Sequence, residues 1–190
     1  MLMSSAAMID QDNPAVLAMK KAQRELKKLK KYDVEGQEKK RREIERLEWE
    51  GSLYWDKALG LFIPGINLFA CIVEAARKTK AGKRAEAAIV PIEDVKIITA
   101  KPYPKDLNKL YAAGEYAFRH PVRIPPKTGA RLMKVRPMIP TGWKTEPITI
   151  EFDEDELPES DLREAVPTGG RLIGLGGWRP RFGRFDVEWL

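Results

Sequence analysis

The chain of 190 residues is long enough for one complete hydrophobic core and short for two, so a single domain with appendages is expected. A net charge of +6 points to anionic partners. One cysteine and one histidine exclude an internal disulfide and a structural zinc site.

No window approaches the ~18 consecutive apolar residues of a membrane span. Residues 1–12 lack the basic and apolar regions of a signal peptide, so no membrane is expected as a partner. Leu2 and Met3 are apolar from the outset, and the chain is expected to begin within its first structural element. Cys71 reads as a small buried apolar residue in a reducing compartment.

Met1 to Ala6 reads as a short strand, after which Asp10, Asp12 and Asn13 lead into Pro14, a favourable first residue for a helix. Val16, Met19, Ala22, Leu26 and Leu29 then recur at helical spacing. Gly36 is expected to break this helix from a second, Gln37 to Trp49, whose narrow apolar stripe is Ile44, Leu47 and Trp49. Residues 14–49 thereby form a charged helical hairpin inserted in the domain.

From Lys20 to Arg46 the hairpin holds twelve basic and six acidic residues. One reading is a basic arm lying on phosphates, with Lys27, Lys28, Lys30 and Lys31 as contacts. The plainer one is a solvated helix pair laced by i,i+4 pairs such as Glu38 with Arg42.

Ser52 to Trp55 and Leu59 to Ile63 resemble two strands around a turn, and Pro64 and Gly65 open a helix from about Asn67 to Lys78 that Gly82 ends. Leu68, Ile72 and Ala75 are expected to face the sheet. Strands follow at Ala87 to Val90 and Val95 to Ile98, then a short helix at Lys105 to Ala112, ended by Gly114. Val122 to Ile124, Leu132 to Met138 and Ile148 to Phe152 are further strands, with a loop at Pro125, Pro126 and Gly129. Helices interleaved with strands that need not be parallel make the class α+β.

Charge is segregated towards the end of the chain. Glu151 to Glu164 carries eight acids and one arginine, and Arg171 to Arg184 carries four arginines and no acid. Six of the fifteen positions from Gly169 to Gly183 are glycine, a composition that lets backbone amides approach an anion. Arg171, Arg179, Arg181 and Arg184 add forked cationic donors, Gly174 and Gly176 bare backbone, and Trp178 and Phe182 faces for stacking bases. This combination suits a sugar-phosphate chain. The plainer alternative is a glycine-rich connection before a final strand in which Phe185, Val187 and Trp189 alternate into the core.

Arg179 stands where a dinucleotide fingerprint starting at Gly174 needs its third glycine, and no Gly-Lys-Ser/Thr occurs, so neither a Rossmann nor a P-loop site is expected. His120, between Arg119 and Pro121, reads as a loop or surface residue; a metal-independent ribonuclease using it is the weaker alternative. Asp153 to Glu156 reads as a solvated loop before a helix, and no metal or other cofactor is expected.

The terminal segment resembles the glycine-rich loop of the RAMP superfamily, RRM-related proteins that form backbone and RNA-processing subunits of CRISPR effector complexes. Leu61 to Leu68, Leu-Phe-Ile-Pro-Gly-Ile-Asn-Leu, is similar to that family's "Ile-Pro-Gly-Ser-Ser-Leu" opening of a helix. Arg181 to Arg184 resembles its "Arg-Gly-Phe-Gly" turn, and Leu2 to Ser5 its first strand. The chain also resembles small phage proteins ending in Gly-Leu-Gly-Asp-Trp-Arg-Pro-Arg-Phe-Gly-Arg-Phe, with Gly177 in place of the acid.

The resemblance implies an RRM-like or ferredoxin-like antiparallel sheet with helices on one face, in one domain over residues 1–190. It implies side-by-side self-association, single-stranded RNA or DNA held across the assembly, and the cytoplasm of a bacterial host as location. The catalytic residues of RNA-cleaving relatives match no position here, so no enzymatic activity is expected. A second reading of the same resemblance is an interaction protein that mimics a subunit of a CRISPR effector complex and inhibits it.

Overall fold

A computed structural model describes residues 1–5, 8–123 and 131–190. In chain order the elements are α1 (Pro14–Lys28), α2 (Val34–Ser52), β1 (Trp55–Asp56), β2 (Gly60–Ile63), α3 (Gly65–Ala76), α4 (Gly82–Ala88), β3 (Val95–Ile98), α5 (Leu107–Ala112), β4 (Ala117–Arg123), β5 (Arg131–Pro137), β6 (Lys144–Thr145) and α6 (Glu159–Thr168). The protein is α+β. It folds as two compact units, each assembled from separate stretches of chain: one from 1–2, 54–102 and 140–190, the other from 3–53 and 103–139.

In the second of these units α1 and α2 form the hairpin. Pro14 opens α1 behind Asn13, whose side chain accepts the Ala15 amide at 2.9 Å. Gly36 does not separate the helices. Asp33 caps α2 by accepting the Gly36 amide at 2.9 Å, and a Cβ at position 36 would overlap the Asp33 carboxylate. The expected breaker is therefore part of the cap, and α2 starts three residues earlier and ends three later than its apolar stripe suggests.

The hairpin is no detached appendage, because α2 packs on β5 of the antiparallel pair β4–β5. Trp49 anchors it: fully buried, it donates from Nε1 to the Tyr116 carbonyl at 2.8 Å and meets Tyr111 edge-on at 5.2 Å. Glu45 pairs with Arg119 of β4 and Glu48 with Lys134 of β5.

In the other unit β1, β2, β3 and β6 form an antiparallel sheet in chain order. The split βαβ arrangement of an RRM-like sheet, in which the strands joined by a helix are separated by a third, is not found among the described residues. Leu68, Ile72 and Ala75 of α3 are buried as expected, but α3 packs chiefly on helices α4 and α6 instead of the sheet. Ile72, Val73 and Ala76 share a core with Ala85, Ala88, Leu157, Leu162, Ala165 and Val166.

The chain departs from the sequence expectation at further places, among them β4, which begins at Ala117, and β6, which the sequence expectation does not include. Leu2 makes only an isolated bridge, to Gly177, in place of a first strand, and Ala6 lies outside the described residues. Ser52 belongs to α2, so the strand expected there starts at Trp55. Gly82 begins a helix, because Lys80 turns the chain in the left-handed region (φ 63°) and Ala81, Ala85 and Ala88 then bury one helical face. The strands expected at Ala87 to Val90 and Ile148 to Phe152 reduce to a bridge between Ile89 and Phe152. The expected last strand is absent among the described residues: Val187 packs partly on the core, whereas Trp189 is 45% exposed with Arg163 over its ring. The loop at Pro125, Pro126 and Gly129, with Ile124, lies outside the described residues.

Candidate nucleic-acid interface

The glycine-rich segment starts as a continuation of α6, a π-helical turn over Gly169–Ile173, and then reverses direction repeatedly. Gly174, Gly176 and Gly183 all have positive φ, between 76° and 82°, where side chains are disfavoured. Their surroundings explain them. The Gly174 amide donates to Gly169 O at 2.8 Å, and a Cβ there would press on Gly183 O at 3.1 Å. A Cβ on Gly176 would overlap Leu2 O, and one on Gly170 would overlap Phe185 O.

The expected anion-binding concavity is thus largely used up by the fold. Gly174 and Gly176 serve close approach of the chain to itself, and the Gly174, Leu175 and Gly177 amides donate to backbone carbonyls. What the turns present outward are side chains. Arg171, Arg179, Arg181 and Arg184 are all exposed. Arg179 lies 3.6 Å from Glu74, and Arg184 donates from Nε to the Pro180 carbonyl at 3.2 Å.

Trp178 differs from its neighbours. It has φ 61°, and among the described residues only it and Lys80 hold a positive φ without being glycine. The residue is 45% exposed, and its ring lies 5.6 Å from that of half-buried Phe182. A left-handed residue with a Cβ costs roughly 1–2 kcal/mol, so this position keeps an exposed aromatic side chain where glycine would serve the backbone better.

The other unit carries the second cationic surface. At 100° per residue, Lys20, Lys21, Arg24, Lys27 and Lys28 of α1 fall within one arc of about 120°. Leu17, half exposed, is the only other helix residue in that arc, which holds no acid. Ala22 is buried on the opposite face and Val16 at the edge of the arc beside Lys27, and α1 packs on α2. The acids of the hairpin go elsewhere: Glu25 and Glu43 to Lys40, Glu38 to Arg42, Glu50 to Arg46, and Glu45 and Glu48 to the β4–β5 pair.

Among the described residues, Lys21, Arg24, Lys27, Lys28, Lys30 and Lys31 make no ion pair. Lys27 and Lys28 sit in the last turn of α1, where cations suit the negative end of the helix. Lys30 and Lys31 lie beyond it, in the connection to α2, and not on a helix as expected. Lys20, Lys21 and Arg24 also belong to this face, although the sequence expectation does not include them; their i, i+4, i+7 spacing with Lys27 is the signal that could have found them.

His120 is in strand β4, not a loop, with its ring stacked at 5.8 Å on Phe118. Asp153 accepts the Asp155 amide in the turn before α6. No cluster of three or more His, Cys, Asp or Glu among the described residues is placed to hold a metal ion, and no helix among them is long and apolar enough to cross a membrane. No family model, curated protein or solved structure matches the chain.

Proposed function

We propose that this protein binds the backbone of single-stranded nucleic acid, with Arg171, Arg179, Arg181 and Arg184 on phosphates and Trp178 under a base. The observation that carries the reading is Trp178 itself, kept at positive φ and half exposed among three positive-φ glycines and exposed arginines. Backbone strain retained at an exposed aromatic residue is a pointer to function. Base stacking on such a ring is tolerant of sequence, and guanidinium groups match phosphate oxygens in forked pairs.

The α1 face adds sequence-independent attraction, because cations on a helix follow phosphates and carry no information on base edges. Kinship with the RAMP proteins, and the self-association it implies, belongs to the proposal on the strength of the Pro64–Gly65 opening of α3. Light scattering with and without a 30-nucleotide strand tests that part.

The binding site is tested with Trp178→Gly and a fluorescent 30-nucleotide strand. Glycine relieves the positive φ while removing the ring, so stability is expected to stay within about 1 kcal/mol of native. Affinity is expected to fall by the equivalent of ~1–3 kcal/mol. Native protein that binds no strand at low salt overturns the proposal, and a Trp178→Gly protein that binds normally removes Trp178 from it.

A further inference from the structure

The connection between α1 and α2 carries one residue that the helix faces do not account for. Tyr32 is 77% exposed, and the Lys30 ammonium lies 5.5 Å from the centre of its ring. Lys28, Leu29, Lys30, Tyr32 and Asp33 line a shallow, open depression there. Lys27, Lys28 and Lys31 are exposed around it.

The turn does not need the tyrosine. Its geometry is held by the Asp33 amide on Lys30 O at 3.0 Å and by Gln37 Nε2 on the same carbonyl at 2.9 Å. The Asp33 carboxylate, the one acid of the depression, is engaged on the Gly36 amide as the cap of α2. The exposed ring of Tyr32 stands in this connection beside exposed Lys30 and Lys31, with Val34 and Glu35 exposed on its other side.

We infer that the hairpin tip is a second nucleotide-binding site, in which an unpaired base stacks on Tyr32 and its flanking phosphates lie on Lys28, Lys30 and Lys31. This rests on the nucleic-acid reading and deepens it: the arm then distinguishes single strands from duplex, which cations alone do not. A base within a duplex keeps both faces stacked on its neighbours and is not free to cover the ring, whereas a single strand offers its faces without unpairing. Lysine beside the tyrosine adds cation–π attraction to the ring and charge for the phosphate.

The experiment titrates native protein, Tyr32→Ala and Tyr32→Trp with a 30-nucleotide single strand and with a 30-base-pair duplex, at several salt concentrations. Tyr32→Ala is expected to weaken single-strand binding about 5- to 150-fold without altering the salt dependence, and to leave duplex binding unchanged. Tyr32→Trp is expected to restore single-strand affinity. Equal single-strand binding by native protein and Tyr32→Ala overturns the inference while leaving the proposed function standing, and so does an equal loss on both ligands. Native protein that binds neither ligand overturns both.

Discussion

The Leu175 amide donates to the carbonyl of Gly183 at 2.8 Å, and the two stretches run so close that a Cβ on Gly183 would overlap the carbonyl oxygen of Leu175. Gly183 also holds φ 82°. A glycine whose composition suggests a ligand cradle thus binds the C-terminal turns to each other.

Gly183→Ala is accordingly expected to destabilise by about 3 to 5 kcal/mol, combining left-handed strain with overlap against backbone that cannot swing aside. Gly114 is the control, with φ 77° and open space where a Cβ would stand, no atom lying within 4 Å. Gly114→Ala is expected to cost only about 1 to 2 kcal/mol. Urea unfolding of both variants checks the difference; equal costs would show that the close approach at Gly183 is relieved without penalty.

Cys71 is 1% exposed on α3, and its thiol is pushed up to about 11, first by burial and against the partial relief given by Arg179. Thiolate is the reactive form, so alkylation at pH 8 is expected to be far slower in the native protein than in the urea-unfolded chain. The unfolded thiol ionises first as pH rises. Its contribution to stability is therefore full below the ordinary thiol value and lost between there and about 11. Equal labelling of native and unfolded protein at pH 8 would contradict the burial.

The helices of this protein are legible in the sequence where spacing and caps coincide. Pro14 behind Asn13 marks α1, and the buried Leu68, Ile72 and Ala75 mark α3. Glycine is the poorest guide, because its role depends on what lies opposite. Gly36 has the look of a breaker and is part of a cap; Gly82 has the look of an end and is a start; Gly174 and Gly176 suggest a ligand cradle and face other backbone. The strand expected at Ala87 to Val90 misreads a helix-favouring stretch, in which Ala85 and Ala88 of α4 bury in the core shared with α3. The arginines and Trp178 are visible from the sequence as an exposed group, whereas the positive φ of Trp178 is not.

The hairpin provides a prediction of a different kind. Reversing Lys27, Lys28, Lys30 and Lys31 to glutamate is expected to weaken single strands and duplex alike, because phosphates are common to both. A small loss of stability is expected as well, about 0.3–1 kcal/mol for each acid placed in the last turn of α1. Binding titrations with both ligands, beside thermal unfolding, measure the two effects. Unchanged affinity would return these lysines to a merely solvated surface.

The central claim is that the exposed arginines of the C-terminal turns meet phosphates, and the salt dependence of binding reads this directly. Each phosphate contact to a single strand contributes roughly 0.7 to the slope of log affinity against log salt, so Arg179→Ala, Arg181→Ala and Arg184→Ala together are expected to flatten it by about 2. The fold is expected to survive, because these side chains are exposed and the glycines around them are untouched. The measurement is a titration of a 30-nucleotide strand at several salt concentrations, with circular dichroism confirming the fold of the triple variant. A folded variant with weaker binding and a slope lower by about 2 supports the account; a folded variant with native affinity and native slope contradicts it.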